Sequence, residues 1–202
     1  QAAKQLQDGS GAAVHTSLLG GGRLPLLRLM ITPRILAPVL IAALAQSAMV
    51  VLMSPLALAM SDQGLSPSLR TRCYELHFFC MYAPGLLTSQ LVRCLGATTT
   101  SALGALAFGG ACAILATGFS AAHFFGGMGL CGVGWNLCFS SATLLLDGAL
   151  PSPADALRVE AANDFAVFLL SALGSLGSGY VYVEYGWRWL VLGAGSLASC
   201  LM

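Results

Sequence analysis

The chain has 202 residues, of which 57% are hydrophobic and only 8% charged. Its mean hydropathy is +0.80. Soluble domains carry about 25% charge, and a fold with so few charges could not cover its own surface in water. Lipid is the expected solvent for that surface. The net charge of +1 excludes the strongly basic footprint of a nucleic-acid binder.

Residues 1–34 form a polar, Gly-rich leader with Lys4, Arg23, Arg28 and Arg34. It reads as a cytoplasmic segment with a short helix around Pro25–Met30, and it contains no secretory signal. Six apolar segments follow. The first is predicted over Ile35–Met60, bounded by Pro38 and Pro55. At 1.5 Å per residue it reaches roughly 39 Å, enough to cross about 30 Å of hydrocarbon. The second is predicted over Cys73–Val92, with Pro84 near its middle. The third covers Ala97–Thr117 and the fourth Ala122–Leu146. A loop with Asp147, Pro151, Pro153, Asp155 and Arg158 precedes the fifth, Val159–Val183. The sixth begins at Trp187 and is still apolar at Met202. That apolar end, with Gln1 at the start, is expected of a piece of a longer protein. The connections before Ala97 and Ala122 are a few residues long, so those helices should be antiparallel neighbours.

Alternating the ends places Lys4, Arg23, Arg28, Arg34, Arg93 and Arg158 on one side and Arg70, Arg72 and Arg188 on the other. The positive-inside bias then puts the N-terminus in the cytoplasm. The third segment carries no ionisable group in SALGALAFGGACAILATG and can face lipid all round.

Polar groups in hydrocarbon cost several kcal/mol, on the order of 2–7, unless paired, so they should turn toward a bundle interior or a wet cavity. Helical spacing gathers them into four stripes. Gln46, Met49 and Met53 share a face of the first segment. His77, Met81, Pro84 and Thr88 share one of the second. Gly132, Asn136, Ser140, Thr143 and Asp147 do so in the fourth, and Asp164, Ser171, Ser175 and Ser178 in the fifth. In the fifth segment Ser171, Ser175, Ser178 and Gly179 are expected to be helix–helix glue, since small residues let membrane helices approach. Asn136, beside Trp135 near mid-helix, is the polar group that most needs a partner. Asp164 reads as a charge near the helix start, favoured by the dipole. His77 reads as packing or interfacial. Trp187, Trp189, Tyr180, Tyr182 and Tyr185 read as a membrane–water boundary.

The seven cysteines are Cys73, Cys80, Cys94, Cys112, Cys131, Cys138 and Cys200. They form no CxxC pair, have no histidine at zinc-ligand spacing, and are odd in number. They read as small buried hydrophobes, with neither a metal site nor a complete disulfide framework. No GxSxG with a partnering histidine and no HExxH is present, so neither an enzyme nor a cofactor is expected.

The stretches MVVLMSPLALAM, HFFCMYAPGLLTSQLVRCLG, GLCGVGWNLCFSSATLLL and RVEAANDFAVFLLSALGSLGSG, followed by Gly186–Trp187, resemble the C-terminal six-helix half of a major facilitator superfamily transporter. The resemblance runs from Ile35 to the end and is strongest at Gly132–Asn136 and Asn163–Phe165. It implies an all-α membrane protein: one half of a twelve-helix fold, with a central cavity lined by the first and fourth helices of each half. The third and sixth helices lie outside. Residues 1–34 would then end the cytoplasmic loop joining the halves, and residues 35–202 would form the bundle, its last helix truncated.

The implied partners are a small-molecule solute, the bilayer and the missing N-terminal half. Proton coupling has no buried mid-membrane carboxylate to support it. Gln46, Met49, Met53, Trp135 and Asn136 become candidate cavity residues, and His77, Arg93 and Asp164 candidate gate or interface groups. One departure stands out. The loop after the second helix in such transporters often reads G-x-L-x-D-R-x-G. Here it is Ser89-Gln90-Leu91-Val92-Arg93-Cys94-Leu95-Gly96, with Arg93 in the acid's place and Cys94 in the base's. A non-transporting sensor or assembly subunit that keeps the fold is the alternative reading.

Overall fold

A computed structural model describes residues 25–150 and 152–200. Among them there is helix and no strand: α1 (Leu26–Met30), α2 (Pro33–Met53), α3 (Leu56–Asp62), α4 (Pro67–Tyr82), α5 (Gly85–Leu95), α6 (Ala97–Thr117), α7 (Ala121–Ala149), α8 (Pro153–Tyr185) and α9 (Trp187–Ser199). Among the described residues four stretches are long and apolar enough to cross a membrane: Pro33–Asp62, Ala97–Thr117, Ala121–Ala149 and Asp155–Tyr185. The chain is an all-α membrane protein.

The predicted third segment coincides with α6 and the fourth with α7 to within three residues. The fifth starts earlier than its hydropathy suggests. Ser152 caps α8 by accepting from the Asp155 N–H at 3.2 Å, and Pro153 sits in the first turn, where a missing N–H costs nothing. The predicted loop from Asp155 to Arg158 is therefore helical, with Arg158 paired to Asp155 at 3.3 Å. α4 starts the same way, six residues before the apolar run, on the Ser66 cap and Pro67. The leader's short helix is α1, whereas Lys4 and Arg23 lie outside the described residues.

The first and second segments are each broken, at Ser54–Pro55 and at Ala83–Pro84. Proline cannot donate to the fourth carbonyl back, so a helix that meets it leaves carbonyls unpaired. A side chain from a neighbouring helix meets a carbonyl at each break. The Tyr74 hydroxyl donates to the Met53 carbonyl at 3.0 Å, and Asn136 Nδ2 donates to the Met81 carbonyl at 2.8 Å. Two tighter corners use glycine. Gly96 between α5 and α6 and Gly186 between α8 and α9 have φ of 84° and 83°, which residues with a Cβ rarely adopt.

α7 is the central helix. It packs on α6, on α4–α5 and on α2, while α2 also receives α8 and α9. The α6–α7 seam is backbone on backbone. A Cβ at Gly104 would lie 2.8 Å from the Gly134 carbonyl, and one at Gly134 would lie 2.9 Å from the Gly104 carbonyl. On the other side of α7, a Cβ at Gly132 would meet the His77 carbonyl at 2.7 Å. These glycines let the helices approach where no apolar attraction drives them together in lipid. The charge-free α6 thus does not face lipid all round: Gly104, Phe108, Ala111 and Leu115 are buried.

The helix ends sort into two sets. Leu29, Ile35, Leu146 and Val159 cluster at one end, with Arg28, Arg34 and Arg158 nearby and Arg93 on the same side. The Tyr74–Met53, Tyr182–Asp62 and Trp187–Leu115 hydrogen bonds close the other. Arg28, Arg34, Arg93 and Arg158 against Arg70, Arg72 and Arg188 is a narrow basic asymmetry among the described residues.

Candidate functional site

α7 buries about half of its length and leaves a strip open between α2 and α8 on one side and α5 on the other. Trp135, Phe139, Thr143 and Asp147 follow at every fourth residue along it. Two recesses flank the strip, and both are lined by Phe139 and Thr143. One, of about 430 Å³, adds Gly85, Thr88, Ser89 and Ser140 from α5 and α7. The other, of about 380 Å³, adds Asp147, Glu160, Asn163 and Asp164 toward α8.

Gln46 and Trp135 meet. The indole Nε1–H donates to Gln46 Oε1 at 2.6 Å, joining the first and fourth predicted segments near mid-span. Trp135 stacks on Phe139, with centroids 5.0 Å apart and planes 17° apart. Tyr82 meets Trp135 edge-on at 6.1 Å. All three rings keep some exposure, Tyr82 the most at 65%.

Asn136 lies on the neighbouring face and is only 5% exposed. Its Oδ1 lies 2.6 Å from the Thr88 hydroxyl, and its amide donates to Met81. The Thr88 hydroxyl is also 2.9 Å from the Pro84 carbonyl. Asn136 therefore seals the joint between α4 and α5 rather than facing an open space. The expected stripe of Gly132, Asn136, Ser140, Thr143 and Asp147 divides accordingly. Gly132 and Asn136 are buried against α4–α5, whereas Thr143 and Asp147 are exposed. Thr143 lies at nearly the same angle around α7 as Gly132 and Asn136, so the division runs along the helix axis: the end of α4 covers the level of Gly132 and Asn136.

Met49 is buried in the main apolar core, and Met53 is half-buried against it. His77 is fully buried, so its interfacial reading is replaced by a packing one. Nδ1 lies 2.8 Å from the Met128 carbonyl, an acceptor, and so carries the proton. Asp164 is exposed in the groove and accepts from Asn163 at 3.3 Å. It is about three turns beyond Pro153, past the reach of the helix dipole. Its placement near the helix start is thereby corrected. Arg93 is exposed at the end of α5 and forms no ion pair among the described residues.

In the stripe of the fifth segment, Ser171 donates to Val167 of its own helix at 2.7 Å, and Ser175 meets Ser54 across to the first break at 2.9 Å. Trp187 is not a boundary ring. It is 4% exposed, donates to the Leu115 carbonyl at 3.2 Å and packs on Phe124. Trp189, Tyr180 and Tyr185 are exposed. Among the described residues no group of histidine, cysteine and carboxylate side chains could hold a metal ion.

Phe139, Tyr82, Ser89 and Glu160 are groove residues that sequence reasoning missed. The signal for Phe139 was available in its spacing four residues from Trp135. Tyr82 becomes a neighbour only because α4 packs on α7.

The chain is 29% identical over 170 residues to the riboflavin transporter RfnT of Brucella anthropi. The match takes in 83% of this chain and 42% of that protein's length. No family model matches the chain. No solved structure matches it either.

Proposed function

We propose that this chain is a six-helix half of a major facilitator-type secondary transporter and moves a small solute by alternating access. The observation that carries the reading is the open strip of α7. At mid-span of an otherwise apolar bundle, the Gln46–Trp135 pair stands beside a groove with hydroxyl, amide and carboxylate groups on its walls. Lipid would not be met by such a surface, whereas a second bundle enclosing a wet passage would. The likeness to a riboflavin transporter of about twice the length supports both parts of the reading and makes riboflavin the first solute to test.

In this reading Gln46, Trp135 and Asn136 belong to the passage and its supports, with Met49 and Met53 behind them. His77 and Asp164 act at helix contacts and at the groove mouth. The N-terminal side, with Arg34 and Arg158, is cytoplasmic. The bundle rocks as a unit against its partner half, exposing the midplane to each side in turn. The complete protein, with both halves, reconstituted in vesicles should take up labelled riboflavin, and Gln46→Leu should lower the rate about tenfold, the worth of one buried hydrogen bond. Vesicles that take up no riboflavin and show no counterflow with related solutes would overturn the reading. The non-transporting alternative is favoured by one observation, the exposed Arg93 in place of an acidic gate residue.

A further inference from the structure

The chain has two tryptophan clusters, and they are built differently. Trp187 is 4% exposed, packed on Phe124, with its N–H satisfied by a backbone carbonyl. It needs nothing more. Trp135 and Phe139, on the open strip of α7, are partly buried, and with the exposed Tyr82 of α4 they form a three-ring surface that keeps an open edge.

The indole N–H of Trp135 takes the oxygen of Gln46. That bond fixes the amide's orientation, because only the oxygen can accept. The Gln46 NH2 group points away from the indole and has no protein partner among the described residues. A half-buried amide with two unused donors at mid-span is costly unless something accepts from it. Beyond Phe139, along the same groove, stand the hydroxyls of Ser89, Ser140 and Thr143.

We infer that this surface binds a planar heteroaromatic ring bearing a hydroxylated side chain. The ring lies on the Trp135–Phe139–Tyr82 surface, where flat faces gain from offset stacking and edge contacts. A ring carbonyl or nitrogen accepts from the Gln46 amide. The side chain reaches into the recess of about 430 Å³, toward Ser89, Ser140 and Thr143. The inference rests on the transport reading for the groove being a passage, and it names the class of solute that would pass.

The test uses the full chain in lipid nanodiscs with riboflavin and lumiflavin as fluorescent probes. An indole in contact with a flavin quenches its emission. Both probes should bind saturably with quenching, and ribitol, which has the hydroxylated chain and no ring, should not displace lumiflavin. Phe139→Leu should raise the lumiflavin Kd about tenfold. Trp135→Phe should keep binding within a few-fold but remove most of the quenching, a signature that a merely structural role would not produce. Tyr82→Leu alters a ring that is 65% exposed, leaves folding intact, and should weaken binding about threefold. Trp189→Phe should change nothing.

Unsaturable binding, or affinity and quenching unaltered in Phe139→Leu, Trp135→Phe and Tyr82→Leu, would overturn the inference. Saturable flavin binding without uptake would sink the transport reading alone. Uptake of a solute without an aromatic ring, undisturbed by Phe139→Leu, would sink the ring site and leave transport standing.

Discussion

The first predicted segment, now α2 and α3, and the fifth, now α8, are both apolar helices of about thirty residues, yet they live in different surroundings. In its most apolar window the first is 61% buried, with a mean hydropathy of 2.3. The fifth has a mean hydropathy of 1.6 and is 17% buried. Leu52, Leu56 and Met60 have no exposure at all, while Phe165, Phe168, Leu173 and Leu176 are each at least 60% exposed. Hydropathy reports that both helices avoid water. It does not report whether lipid or protein replaces the water, because lipid tails are as apolar as leucine.

The comparison is most strongly tested by truncating one leucine in each helix. Leu52→Ala should destabilise the folded bundle by about 2–3 kcal/mol, mainly through the cavity it leaves. Thermal unfolding in detergent would measure it, and a loss under 1 kcal/mol would mean that α2 is less tightly held than its burial implies. Gly134→Val follows in size, at about 1–3 kcal/mol, because the added methyls must push α6 and α7 apart at the Gly104 carbonyl. The same unfolding measurement reads it, together with the fraction of monodisperse protein.

Asn136→Leu should cost a similar or smaller amount, about 1–2 kcal/mol, since it strands the Met81 carbonyl and leaves the Thr88 hydroxyl only the Pro84 carbonyl. It should also abolish vesicle uptake while leaving the protein in the membrane. Normal uptake would reduce Asn136 to a structural plug. Leu176→Ala should be the quietest, within about 0.5 kcal/mol, as expected of a surface site. A cysteine placed there should react with a lipid-soluble maleimide in the isolated bundle. Protection from that reagent in the complete protein would mean that protein, not lipid, covers this face of α8.

Asn136 and Trp135 show how far sequence reading reaches into the site. Both were legible as polar or amphipathic groups at mid-helix that must find partners. Which partners they find was not legible. They are adjacent in the chain and therefore about 100° apart on the helix, so one meets α2 and the other meets the α4–α5 joint. Asp164 fails in the opposite way. Hydropathy started its helix at Val159, whereas the cap at Ser152 starts it at Pro153, and the charge moves from the helix start into the groove wall.

Composition and apolar run lengths determined the solvent, the helical class and the approximate course of the long helices, since an unpaired backbone is not tolerated in hydrocarbon and only internal pairing remains. The breaks at Pro55 and Pro84 read through in the sequence as continuous apolar segments, and Pro38 interrupts no helix. Tertiary structure alone decided which faces are closed. The seam between Gly104 and Gly134, the capping of Met81 by Asn136 and the ring surface of Trp135, Phe139 and Tyr82 each join residues far apart in the chain. Their partners are set by the packing of whole helices, which a one-dimensional pattern of polarity does not encode.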